Sequence, residues 1–155
     1  MSPVEAETWR LYLGSSLLLM RALDRQLQRD SGIAHTHYAV LVQLSERPGG
    51  SARVTELAAI MDHSQSRMSH AVGRLERSGW VRRELDPTDR RVVHVVLTDA
   101  GRAVLRDAAP GHVRCVRESL FEGLTPDQLE CFREVCQTML ERLSSDPDAR
   151  PHWPT

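Results

Sequence analysis

The sequence predicts a mainly α-helical chain that carries one small β-hairpin. Three observations predict it. Apolar residues recur at helical spacing over most of the 155 residues. A capping box with proline at the first helical position opens a segment near each end, Ser2-Pro3-Val4-Glu5 and Thr125-Pro126-Asp127-Gln128. One stretch alone, 80–97, is rich in β-branched residues on either side of a polar turn.

The first box starts a helix with Trp9, Leu13, Leu17, Met20, Leu23 and Leu27 at helical spacing, expected to run to Arg29 and stop at Asp30-Ser31-Gly32. At 1.5 Å per residue it is about 40 Å long, so it should pack on something larger than its own domain. A second helix is read from Thr36 to Glu46, with Tyr38, Leu41, Val42 and Leu44 apolar, and Arg47-Pro48-Gly49-Gly50-Ser51 breaks it. A short third helix, Thr55 to Met61, takes Thr55 as its cap. Asp62-His63-Ser64 turns the chain into a fourth, from Gln65 to Ser78-Gly79, with Gly79 closing it. Trp80-Val81 and Val92–Leu97 read as strands joined by the tip Asp86-Pro87-Thr88-Asp89-Arg90-Arg91. Thr98 caps a fifth helix, Asp99 to about Glu122, which Pro110-Gly111 should kink or interrupt. The last helix shows Leu129, Phe132, Val135, Cys136, Met139, Leu140 and Leu143 on one face, and the tail 146–155 is expected to be disordered.

Composition removes several function classes. At 41% hydrophobic and 26% charged residues the chain is ordinary globular protein. No apolar run reaches 18 residues, so no membrane partner is expected, and the acidic residues 1–10 do not resemble a secretory signal. Cys115, Cys131 and Cys136 form no C-x-x-C pair, and the seven histidines have no metal-ligand spacing. The chain therefore implies no metal and no cofactor, and reads as a reduced cytoplasmic protein. Paired carboxylates, a nucleophile elbow and a phosphate loop are all missing, which argues against an enzyme.

The net charge of −1 argues against a non-specific nucleic-acid coat protein. That value averages three unlike parts: residues 1–50 carry net 0, residues 51–97 net +2, and residues 98–155 net −3. Within 65–91 lie seven arginines, 67, 74, 77, 82, 83, 90 and 91, against four acids. A basic stripe on a neutral chain fits a sequence-specific DNA reader, and equally an arginine-rich solvated face. All 20 positive charges are arginine. Codon usage in a GC-rich genome accounts for that, whereas a planar fork facing phosphate is the functional reading.

Helix, short turn, helix and hairpin over 54–97 is the order of a winged helix-turn-helix. In its second helix Met68, Ala71, Val72 and Leu75 make the side to be buried. Gln65, Ser66, Arg67, Ser69, His70, Arg74 and Arg77 remain for the open side. Short hydrogen-bonding and basic side chains near a helix N-terminus suit phosphates and base edges in a major groove of double-stranded DNA. Arg90 and Arg91 on the hairpin tip suit a neighbouring minor groove. Asp86 and Asp89 either aim an arginine or serve the turn itself. A winged helix used only for protein contacts would need a face free of arginine.

The runs SQSRMSHAVGRLERSGWVRR at 64–83 and DPTDRRVVHVVLTDAG at 86–101 resemble the MarR family of bacterial transcription regulators. The resemblance covers about residues 8–143, and the D-x-x-D-R-R wing leading into L-T-x-x-G is its most specific part. It implies a homodimer, with 1–35 and 99–145 as a helical dimerisation region and 36–98 as the winged helix-turn-helix. It also implies a wing in which Asp89 and Arg91 pair and meet DNA. One departure is Gly73, where many members carry an acid; its loss either loosens the helix or removes a salt bridge to Arg74.

Members of the family often bind small, frequently aromatic anions in a cleft near the first, second and fifth helices. The residues that the resemblance offers as lining are Trp9, Tyr12, His35, His37, Tyr38, Arg106 and His112, where Trp and Tyr stack on a ring and Arg or His pairs a carboxylate. The alternative sensor is a thiol. Peroxide-sensing relatives carry a cysteine in the first helix, and here none precedes Cys115. The combined expectation is a DNA-binding repressor released from a pseudo-palindromic operator by a small-molecule effector.

Overall fold

The computed structural model describes residues 1–143. Its elements are α1 (Pro3–Ser31), α2 (His35–Ser45), β1 (Ser51–Arg53), α3 (Val54–Ile60), α4 (Gln65–Arg77), β2 (Val81–Leu85), β3 (Val93–Leu97), α5 (Asp99–Val116) and α6 (Pro126–Leu143). The chain is mainly helical with one small antiparallel sheet, ordered β1-β3-β2. The expected tail, 146–155, lies outside the described residues.

Capping chemistry sets most boundaries. Ser2 and Glu5 form the reciprocal box that starts α1. The helix ends two residues later than Arg29, where Gly32 takes a left-handed conformation, φ 65°, and its N–H donates to the Gln28 carbonyl. α3 corrects the expected cap: it begins at Val54, and the cap is Arg53, whose N–H donates to Glu56 Oε2 at 2.9 Å. Thr55 therefore lies inside the first turn. A glutamate three residues on satisfies the boundary amide, so a threonine hydroxyl is not needed there.

The strands correct two further expectations. The hairpin strands run over 81–85 and 93–97, longer on the first side than Trp80-Val81 suggests. A third strand, β1, pairs Ser51 with Val96 and Arg53 with His94. The breaker segment 47–51 thus leads into the sheet.

Pro110 does not interrupt α5, which continues to Val116. A proline inside a helix leaves the carbonyl four residues earlier without its donor. Here that residue is Arg106, which like Pro110 is exposed, so water can take the bond. The irregularity comes later, at 117–121, where the Glu122 N–H donates to the Arg117 carbonyl over five residues.

Two apolar clusters make the interior. Val40, Leu41, Leu44, Leu57, Met68, Val72, Leu75, Val81, Val95 and Leu97 join α2, α3, α4 and the sheet. Leu27, Ile33, Tyr38 and Ala108 join α1, α2 and α5. Trp80, Val104 and Leu105 pack against both. No residue of α6 is buried, and the first half of α1 exposes Val4, Trp9, Leu11, Leu13, Leu17 and Leu18.

Candidate nucleic-acid interface

The α3–α4 turn aims the fourth helix. Asp62 adopts φ 48°, a left-handed geometry that aspartate tolerates better than most residues, and the His63 N–H returns to the Ala58 carbonyl. Ser64 then caps α4 by accepting from the Arg67 N–H at 3.2 Å. At the far end Trp80 N–H donates to Leu75 and Gly79 N–H to Glu76, the paired bonds of a Schellman ending. Between these ends Met68, Ala71, Val72 and Leu75 are buried. Gln65, Ser66, Arg67, Ser69, His70, Arg74 and Arg77 are all exposed, so the open face is the one the spacing predicts. Beside it a groove of about 410 Å³ runs along Thr55, Gln65, Ser66, Ser69 and the wing residues Arg83 and Val93.

The two acids of the wing have separate tasks. Asp86 builds the tip. One of its oxygens accepts from the Thr88 N–H (2.8 Å), the Thr88 hydroxyl and the Asp89 N–H (3.1 Å), while the other stands 3.0 Å from His94 Nε2. These bonds, those from Thr88 first, hold its carboxyl well below the usual carboxylate range. Asp89 aims the arginine. Its Oδ1 accepts from the backbone N–H of Arg91 at 3.0 Å and from Nε at 3.4 Å, and Arg91 extends 93% exposed from that anchor. Arg90 is exposed beside it.

The remaining candidates do not converge within one chain. His35, Tyr38 and His112 do meet, where α2 crosses α5. The His112 ring centroid lies 4.5 Å from that of Tyr38 and 5.8 Å from that of His35. Burial pushes both histidines below their usual pKa; Asp24 opposes this at His35, and His35 adds to it at His112. Burial also pushes the Tyr38 hydroxyl up. His112 Nδ1 is buried without a hydrogen-bond partner. His37 is apart from this cluster, and burial first and then the charge of Arg74 push its pKa down. Trp9 and Tyr12 stack on each other at 6.0 Å, half-exposed, about 20 Å along α1 from Asp24. Arg106 is exposed beside Asp107.

Cys115 is half-buried on α5 in a hollow of about 550 Å³ that Arg25, Arg29 and Arg114 also line, while Cys131 and Cys136 stand on α6. Among the described residues no cluster of His, Cys, Asp or Glu is arranged to hold a metal ion, and no helix is long and apolar enough to cross a membrane. Two contributors escaped the sequence reading. Arg83, counted only as charge, bonds the Ser69 carbonyl on α4. Thr98, read only as a cap, also donates its hydroxyl to the Gly79 carbonyl at 2.7 Å. In both cases the partner is 14 or more residues away, and no local pattern marks it.

Comparison with known proteins agrees with this geometry. The MarR family model matches residues 31–92. The structure is similar to that of Sco3205, a MarR family transcriptional regulator from Streptomyces coelicolor, in complex with DNA: 45% identity, 99% of this chain and 95% of the other, TM-score 0.87. It is also similar to CouR from Rhodococcus jostii RHA1 bound to p-coumaroyl-CoA, 25% identical over all of both chains, TM-score 0.73. Transcriptional repressor MprA of Escherichia coli is 26% identical over 133 residues, 86% of this chain and 73% of the relative. With 45% identity over almost the whole of one such regulator, this chain belongs to the MarR family of transcriptional regulators.

Proposed function

We propose that the protein is a dimeric, sequence-specific DNA-binding repressor acting in the cytoplasm. The observation that carries this reading is the pairing of two outward probes on one domain. One is the exposed face of α4, with Gln65, Ser66, Arg67, Ser69, His70 and Arg74; the other is the wing, with Arg91 held by Asp89 and Arg90 beside it. The DNA bound to Sco3205 and the name of MprA support it. Residues 36–98 form the DNA-binding domain, and 1–35 with 99–145 form the dimerisation region. The uncovered apolar faces of α1 and α6 support a second copy as their occupant.

In a dimer the two α4 helices enter successive major grooves about one turn apart, so the operator is a pseudo-palindrome. Arg67 reads a base and Arg91 meets phosphate or a minor groove. Footprinting a duplex that the protein selects from a randomised pool should show two half-sites at that spacing. Arg67→Ala should cost about 1–3 kcal/mol and relax one base position. Arg91→Ala should lower the salt slope by about one. A double variant that retains full affinity rejects this contact set.

Release comes from a small anionic, aromatic effector that prefers one spacing of the two heads. Of the seven lining candidates, His35, Tyr38 and His112 meet within the chain, and His37, Trp9, Tyr12 and Arg106 join only if the bound state or the second copy brings them there. The ligand of CouR supports effector binding. Footprints repeated with aromatic carboxylates and with peroxide separate this reading from a thiol switch at Cys115, Cys131 or Cys136. Release by peroxide alone overturns it.

A further inference from the structure

Arg82 and Arg83 are neighbours on β2, so their side chains leave opposite faces of the sheet. Arg82 stays on its own strand, 2.7 Å from Glu84. Arg83 shares its face with buried Val81, lies opposite buried Val95 in the ladder, and reaches across to α4. Its Nη2 donates to the Ser69 carbonyl oxygen at 3.3 Å, and its Nε lies 3.7 Å from Glu76 Oε2.

The receiving surface on α4 suits one guanidinium. Ser69 and Glu76 stand two turns apart on one flank. Helical carbonyls point toward the C-terminus and helical side chains lean toward the N-terminus, so the two acceptors converge on the turn between them. Gly73 occupies that turn, and a Cβ there would meet nothing within 4 Å. No atom of Arg83 comes within 4 Å of that point, so the guanidinium reaches Ser69 and Glu76 without resting on Gly73.

We propose that Arg83 is a positioning residue that straps the wing to the recognition helix and fixes the distance between the two DNA-facing probes. This rests on the DNA-binding reading above. Near its base the hairpin is tied to α4 through the short turn at Ser78-Gly79-Trp80, while its tip at 86–91 projects beyond the ladder. A small rotation at the base becomes a large displacement of Arg90 and Arg91, and a second tie to α4 removes that freedom. Arg83 is consequently not a phosphate ligand, although it belongs to the basic stripe. Its charge is answered by Glu76.

The test uses Arg83→Met, Glu76→Gln and the exchanged pair Arg83→Glu with Glu76→Arg, each titrated over a salt series with a duplex that the wild type selects from a randomised pool. A strap and a phosphate contact predict opposite signs for Glu76→Gln, because removing an acid frees a phosphate-binding arginine but releases a strap. The expected result is about three- to tenfold weaker binding for Glu76→Gln and Arg83→Met, an unchanged salt slope, and recovery in the exchanged pair. In the free protein, hydrogen exchange over 81–85 should quicken in both single variants. The proposal is overturned by tighter or equal binding of Glu76→Gln, by a slope reduced by about one in Arg83→Met, or by unchanged exchange. If the wild type selects no duplex, the DNA-binding reading fails, and the exchange measurement decides the strap by itself.

Discussion

A Cβ on Gly101 would overlap the carbonyl oxygen of Trp80 and stand 2.7 Å from Leu97 Cδ1. The first turn of α5 thus lies directly on the turn that closes α4. Thr98 completes the joint: its N–H donates to the same Trp80 oxygen, its hydroxyl donates to Gly79 O, and that hydroxyl accepts from the Gly101 N–H. The threonine and glycine of L-T-x-x-G are one clamp. Gly101→Ala forces a backbone shift at this joint and should destabilise the fold by about 1–3 kcal/mol, read as a lower urea midpoint. An unchanged midpoint would show that the joint yields freely.

Gly73 makes the contrasting prediction. It lies inside α4 with open space around it, so alanine there adds helix propensity without a clash. Gly73→Ala should raise stability by about 0.5–1 kcal/mol in denaturant unfolding. A loss of stability would show that α4 needs a flexible centre.

The histidines at the α2–α5 crossing set a pH dependence. Burial lowers the folded-state pKa of His35 and His112 below the usual 6.5. Between the folded and unfolded values the unfolded chain binds more protons, so stability rises with pH through this window. The contribution is fully present above about pH 6.5 and is lost as pH falls through the folded values. Urea unfolding from pH 7.5 down to 5 should trace that decline, and His112→Gln should flatten it. A variant with the wild-type slope would remove His112 from the account.

The apolar face of α6 predicts an assembly effect. Phe132 and Leu140 are 39% and 50% exposed in the single chain. Phe132→Glu combined with Leu140→Glu should shift the proposed dimer to monomer in sedimentation equilibrium. Dimers of unchanged affinity would move the interface elsewhere.

What was legible in the sequence follows periodicity and local caps. Met68, Val72 and Leu75 declared the buried side of α4, and Ser2 and Gly32 bracketed α1 to within two residues. β1 was not legible. Ser51-Ala52-Arg53 is three residues long with no β-branched side chain, and it is a strand only because β3 pairs with it. The wing acids were legible as a pair of alternatives, and each alternative turned out to hold for one of them. The resemblance offers Trp9 and Tyr12 as pocket lining, and their residue types suit it. Their distance along α1 from the histidine cluster depends on tertiary packing, which spacing does not encode.

The wing tip has a consequence for how the protein meets its target. Asp86 gathers Thr88, Asp89 and His94 onto one carboxylate, which gives the tip a hydrogen-bonded shape of its own without a duplex. The entropy of ordering is spent in folding, and the encounter itself demands little rearrangement. In the proposed complex a prong of set length would measure as well as grip: a duplex whose groove lay too far away would be refused on geometry, whatever its bases. Discrimination of that kind belongs to the shape of the helix, and it would act at positions that no side chain touches.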